Sequence, residues 1–518
     1  MRLTGFVLVF LLLSGVAAPL FAEDTARGVV YADENGNGAW DGGEAGLPGV
    51  MVSNGREVVL TDAAGVWSLP VTEDTALFVV KPSDYAVPVD AHRRPQYYYL
   101  HKPAGSPTGD PAPGLAPTGP LPASVDFGLI PRPEPRQFDV VVFSDPQARG
   151  LTEVNYVARD VVPELVGVNA AFGVTLGDIV ADDPGLFREI SEAVGHIGIP
   201  WYWLFGNHDG NRSAKEDRHA DETFERYFGP STYAFSHGGA FFIAYRNMEL
   251  KPEGGFNYIF RDDDLAFTRN CLAHVPKEQL VVLMMHVPLP GTKQREALYE
   301  MIADRPHTFS MSGHTHEQAH VFLDAKRGWK GAEPHHHYIA GTVSGGWWVG
   351  ERDETGIPVA LMNDGGPNGY AILSIDGADY RLWYKAARRP ADYQMNVYAP
   401  DGVSQAEAAG TEVRANFFAG SKRCRLEMTL DGGKTWLPME QFTGTDPEAA
   451  RMNGMNPHRL GGVWGWDVDE PSRTDHLWRA TLPEGLAEGT HLITVRATDQ
   501  FGAVHHGHRV LRVGGTAE

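Results

Sequence analysis

Five short polar blocks, each closing an apolar run, hold the residue types that could do chemistry: Ser144-Asp145-Pro146-Gln147, Gly177-Asp178, Gly206-Asn207-His208-Asp209, Met285-His286 and Gly313-His314-Thr315-His316. Phosphoryl transfer uses two cations a few ångströms apart, one activating water and both neutralising charge on the phosphorus oxygens, so one carboxylate must bridge them. Asp178 is the bridging candidate, because Gly177 lets the backbone come close to the metals. Asp145 and Gln147 follow the β-prone residues 138–143, and their i, i+2 spacing points both side chains toward one shared metal. Asn207 goes to the second metal, and His208, its neighbour on the same turn, stays unmetallated. His286 closes the apolar residues 280–285, and His314 with His316 repeats the i, i+2 spacing that lets one loop reach two centres. Imidazole mixed with carboxylate and amide oxygen suits manganese, iron or zinc better than magnesium or calcium.

These blocks, in this order, resemble those of the calcineurin-like metallophosphoesterase family, and the chain as a whole is similar to secreted members with β domains on both sides of the catalytic domain. The resemblance implies that Asp145, Gln147, Asp178 and His316 hold one metal and Asp178, Asn207, His286 and His314 the other, with His208 facing the substrate. Two departures from the family pattern stand out. Gln147 occupies a position that is usually His, and an amide oxygen is a weaker, neutral ligand. The carboxylate commonly found three residues after the bridging Asp, which orients the catalytic His, is Ala181 here, so Asp182 or Asp209 would have to take that role.

Positioning such blocks requires strands that end at a common edge. From residue 137 to about 387, apolar runs alternate with helical patterns at 186–194 and 264–273, the signature of layered α/β architecture. The resemblance narrows this to a four-layer α/β/β/α sandwich. Residues 23–131 lack a helical period and read as a small β-sandwich, followed by a linker at 132–136. Residues 388–518 return to alternating β signals, with a turn at Asp431-Gly432-Gly433-Lys434, and predict an immunoglobulin-like or fibronectin-like sandwich. Within the first β domain, Asp33, Asn35, Asn37, Asp41 and Glu44, with Gly38 at the sixth position, match calcium-loop spacing, although a strand rather than a helix precedes them; a plain hairpin turn uses the same residue types. In the central domain, Trp347-Trp348 and residues 363–369 follow the last block, where loops line pockets, and the run His335-His336-His337 reads as strand or loop rather than a further metal site.

Arg2, an apolar stretch at 6–16 and small residues before Glu23 predict a signal peptide over residues 1–22, hence a periplasmic or extracellular protein with no transmembrane segment in the mature chain. Cys271 and Cys424 fall in different domains and give no disulfide framework. A net charge of -22 argues against a nucleic-acid polymer as partner, while two cations would still attract an anionic phosphate. The expected activity is hydrolysis of a phosphorylated small molecule or envelope substrate by a metal-bridging hydroxide, with two Mn, Fe or Zn ions and a structural Ca in the first domain as cofactors. His208 would act on the leaving group, with Asp182 or Asp209 raising its pKa. The rival readings are an envelope or carbohydrate-binding protein built on a catalytically weakened scaffold, supported by Gln147 and Ala181, and a pyrophosphate-cleaving hydrolase sharing the same metals.

Overall fold

The run Val140-Val141-Val142-Phe143 is buried on both faces, and that double burial organises the centre of the molecule. In the computed structural model, which describes residues 24–455 and 469–514, it lies on the strand Gln137–Phe143. The expected signal peptide, residues 1–22, lies outside the described residues. Successive side chains of a strand point to opposite faces, so Val140 and Val142 enter the core between two sheets while Val141 and Phe143 enter a second core under helices.

The first sheet has the order Trp201–Trp203, Phe172–Thr175, Gln137–Phe143, Gly369–Asp376, Asp379–Ala386; its first three strands are parallel and the last two antiparallel. The second runs Tyr233–His237, Ala240–Tyr245, Val281–Met285, Thr308–Ser312, His335–Ile339, Ala319–Leu323, parallel through its middle four strands. Helices Leu151–Asp160 and Phe187–Gly195 cover the first sheet with Val154, Val157, Phe187 and Ile190. Asp262–Leu272 and Arg295–Ile302 cover the second with Leu265, Phe267, Leu298 and Ile302. The result is a four-layer α/β/β/α sandwich.

A β-sandwich flanks it on each side. The first consists of two four-stranded sheets between Asp24 and Pro131, and the alternation of Val66–Val71 sends Trp67, Leu69 and Val71 into its core. Phe78 carries that core onto the central domain, with its ring 5.6 Å from that of Phe267. The calcium-like loop closes on itself: Asp33 accepts the N–H groups of Gly36, Asn37 and Gly38, and the side-chain amides of Asn35 and Asn37 both donate to Asp41 (2.9 and 2.8 Å). Glu44 accepts the N–H groups of Glu34 and Asp41. The last domain packs a four-stranded against a five-stranded sheet around Val413, Phe417, Met428, Trp478, Ile493 and Val495. Its expected hairpin is present, with Arg425–Thr429 pairing to Leu437–Pro438.

The three histidines occupy the strand His335–Ile339, where Ser310 Oγ meets His335 Nε2 (2.7 Å) and His337 Nδ1 (2.8 Å). Burial drives the pKa of His335 and of His337 down to about 3, as expected for neutral rings inside a sheet. Cys271 and Cys424 are free thiols. Among the described residues no helix is long and apolar enough to cross a membrane.

Candidate metal centre

The strands that precede the five blocks are parallel within each sheet, so all five blocks emerge at the carboxyl ends of the strands. Leaving a strand abruptly forces unusual backbone: Asp145, Gln147, Asp178, His314 and His316 all have positive φ, between 46° and 79°. Gly177 reaches φ 90°, and a Cβ there would lie 2.7 Å from His286 Nδ1. At Gly206 a Cβ would come within 2.1 Å of the Asp178 backbone nitrogen. Both glycines let the turns nest against the bridging carboxylate.

Around Asp178 the donor set converges. Its Oδ2 lies 3.1 Å from His286 Nε2 and 3.1 Å from Gln147 Nε2. His286 Nε2 is also 3.2 Å from Asn207 Oδ1 and 3.2 Å from His314 Nδ1. Asp178, His286 and His314 each present a ligand atom within 4.8 Å of the others. On the other side, His316 Nε2 stands 3.8 Å from Asp145 Oδ1, and both Asp145 oxygens accept the His314 N–H at 3.1 Å. All seven expected ligands are thus linked through direct contacts.

Hydrogen bonds on the far sides of the rings set their tautomers. His286 Nδ1 meets the Leu176 carbonyl at 2.8 Å, and His316 Nδ1 meets the Gly345 carbonyl at 2.6 Å; a carbonyl only accepts, so each Nδ1 carries hydrogen and each neutral ring turns a bare Nε2 inward. For His286 that lone pair faces an Asp oxygen, an Asn oxygen and a second imidazole nitrogen, an arrangement that needs a positive charge at its centre. Without a metal a proton supplies it: burial opposes the charged ring, but Asp178 overrides burial and pushes the His286 pKa up to about 9. Gln147 Oε1 is buried with no hydrogen-bond partner, an orphan acceptor at the position expected to donate to a metal. These residues fit divalent cations.

His208 stands beside this set rather than in it. Its N–H donates to Asp178 Oδ1 (2.9 Å), and its ring Nδ1 lies 2.8 Å from Asp182 Oδ1, whose other oxygen is held by Arg212. Burial opposes the charged ring, but the Asp182 hydrogen bond and the nearby carboxylates outweigh it and hold the His208 pKa above its ordinary value. Of the two carboxylates considered as orienting groups, Asp182 makes the contact. Asp209 is buried and accepts the N–H groups of Gly206 (2.8 Å) and Val180 (3.1 Å), pinning two of the site turns together.

Comparison with known families covers most of the chain. Residues 138–318 match the model of the calcineurin-like phosphoesterase family, residues 34–110 that of the N terminal of calcineurin-like phosphoesterase, and residues 337–505 that of its C terminal. The chain belongs to the calcineurin-like phosphoesterase family. Among solved structures, a purple acid phosphatase from yellow lupin (Lupinus luteus) seeds aligns at 12% identity and a TM-score of 0.36 over 70% of this chain and 66% of its own, less than two thirds of that enzyme's length. CopC from Methylosinus trichosporium aligns at 14% identity and a TM-score of 0.13 over 24% of this chain and 93% of its own. No curated protein matches by sequence.

The site also draws on residues outside the five blocks. Trp347, half-buried, stacks on His316 (5.4 Å between centroids, 8° between planes) and meets His208 edge to face at 5.0 Å. Its neighbour Trp348 turns inward and donates to the Pro146 carbonyl (2.9 Å), so only one member of the pair lines the site. Tyr258 packs edgewise on His314 (5.1 Å), and Asn247 braces the turn after His286 by exchanging hydrogen bonds with Val287. Tyr258 and Asn247 had no local signature, since both arrive from one hairpin, Met248–Leu250 with Phe256–Tyr258, outside the five blocks. Arg212, four residues beyond His208, is readable only once Asp182 is known to be its partner.

Proposed function

We propose that this metal-dependent phosphoesterase works with two divalent cations, manganese, iron or zinc, on a phosphate ester carried by a small molecule or an envelope component, in the periplasm or outside the cell. The observation that carries the two-cation reading is the inward-facing acceptor set that His286, Asn207 and His314 form with Asp178, with Gln147 Oε1 buried and unpaired beside it. Asp145, Gln147, Asp178 and His316 would hold one cation and Asp178, Asn207, His286 and His314 the other. When bound there, the cations supply an activated water and neutralise charge on the phosphorus oxygens. The chain supplies the rest. His208, protonated and oriented by Asp182, delivers a proton to the departing oxygen or stabilises the charge building on it, and Trp347 and Tyr258 wall the site over His316 and His314. The calcium reading of the 33–44 loop rests on its spacing; millimolar calcium should raise the melting temperature of the wild type and leave that of Asp41→Ala unchanged.

The test is hydrolysis of paired chromogenic monoester and diester substrates by metal-stripped protein, reloaded in turn with manganese, iron and zinc, beside Asp178→Asn. Turnover restored by metal and abolished in the variant supports the proposal and ranks the substrate classes. Metal bound at two equivalents with no turnover on either class would favour the binding-protein reading.

A further inference from the structure

The C-terminal β domain reaches the metal centre through a buried polar chain that begins at the ligand loop. The His316 carbonyl accepts the Asn363 N–H (3.1 Å), and Gln318, two residues on, donates its N–H to Asp364 Oδ2 (2.6 Å). The same oxygen meets His476 Nε2 at 3.0 Å, while Asp364 Oδ1 takes the Gly366 N–H (2.8 Å). His476 belongs to the strand Arg473–Thr481 of the C-terminal domain and is 1% exposed. Its Nδ1 lies 2.7 Å from Asn416 Oδ1. The Asn416 amide nitrogen donates to the Asp364 carbonyl (3.1 Å) and to Asp446 Oδ2 (2.8 Å), so its Oδ1 can only accept from the ring. Both nitrogens of His476 therefore donate, and the ring is an imidazolium buried against a carboxylate. Ser472 adds a backbone strut to the Asn363 carbonyl (2.8 Å).

A buried ion pair contributes little net stability beside an apolar pair of the same volume, because both charges lose their water. What it fixes is geometry, since each group must meet its partners at one distance and angle. We propose that the C-terminal domain positions a metal ligand: Asp364, His476 and Asn416 hold the backbone at His316 and Gln318 in the strained shape that aims the His316 imidazole at the cation it would share with Asp145 and Gln147. This rests on the two-cation reading above. It gives the C-terminal domain a role inside the active site rather than that of an appended module.

The experiment uses the full chain, stripped and titrated with manganese, with bound metal per chain counted directly and melting temperature recorded alongside. In His476→Leu one equivalent is expected to stay at wild-type affinity and the other to weaken roughly 10- to 100-fold, as for loss of an outer-shell partner. His476→Gln, which keeps a donor toward Asp364, weakens it less and remains informative if the leucine variant does not fold. Val495→Ala, in the core of the same domain and away from the chain, controls for destabilisation and keeps both equivalents. Wild-type affinity for both equivalents in a folded His476 variant overturns the proposal, as does metal loss in Val495→Ala matching that in His476→Gln. Failure of the two-cation reading shows differently, as a wild type that binds fewer than two equivalents.

Discussion

Replacing Asp182 with Asn removes the charge facing His208 while preserving side-chain volume. His208 Nδ1 lies 2.8 Å from Asp182 Oδ1, and Arg212 holds the carboxylate from its other oxygen, so the partner is well aimed. A hydrogen bond with a charged partner contributes about 1.5–3 kcal/mol. The Asp182 side chain is 33% exposed, and solvent screening places this bond at the lower end, about 1.5 kcal/mol. At about 1.4 kcal/mol per factor of ten, kcat falls roughly tenfold. Removing the donor itself in His208→Ala costs more, on the order of 10²- to 10⁴-fold. Because Asp182 acts only through His208, adding Asp182→Asn to His208→Ala costs nothing further. The assay is steady-state turnover on two substrates with the same phosphoryl group, one leaving as a nitrophenolate and one as an alkoxide. The loss is confined to the alkoxide, which needs a proton, and bound metal is unchanged. Equal losses on both leaving groups, additive effects in the double variant, or metal loss would each refute the reasoning.

Three further outcomes follow from the geometry. Gly206→Ala drives a Cβ to within 2.1 Å of the Asp178 backbone, and overpacking against backbone costs about 1–3 kcal/mol or more, so thermal scanning should show a fall of several degrees together with lost metal. Gln147→His exchanges a neutral amide oxygen for imidazole and should tighten the cation shared with Asp145, read by calorimetric titration of the stripped protein. For His476, burial disfavours the charged ring, but Asp364, with Asp475 and Asp446 behind it, raises the folded pKa above the unfolded value. Glu317 and His320 are the other titratable groups close enough to feel its charge. A raised pKa means the stabilisation is present below the unfolded pKa and is lost as pH climbs through the folded one. The melting-temperature gap between wild type and His476→Gln should therefore be widest in mild acid and narrow in alkali.

The convergence of the seven expected ligand residues was legible because each ends an apolar run, so strand and turn share one local pattern. The choice between Asp182 and Asp209 was not, since both sit on turns of the right length and only packing shows Asp209 satisfied by the backbone of Gly206 and Val180. The histidine run could be read as strand from its setting, and its serine partners on the neighbouring strand explain how polar rings survive there. The part played by His476 was invisible: it lies 160 positions beyond His316, and nothing near it in the chain hints that it meets Asp364. Long-range contacts of this kind carry no periodicity to detect.

Asp145, Gln147, Asp178, His314 and His316 hold left-handed backbone, which costs a side-chain-bearing residue roughly 1–2 kcal/mol. Glycine or asparagine relieves that cost, so selection for heat resistance alone would favour mutants at these very positions. A laboratory campaign to harden this protein would then enrich sturdy, inert chains unless turnover is scored in every round.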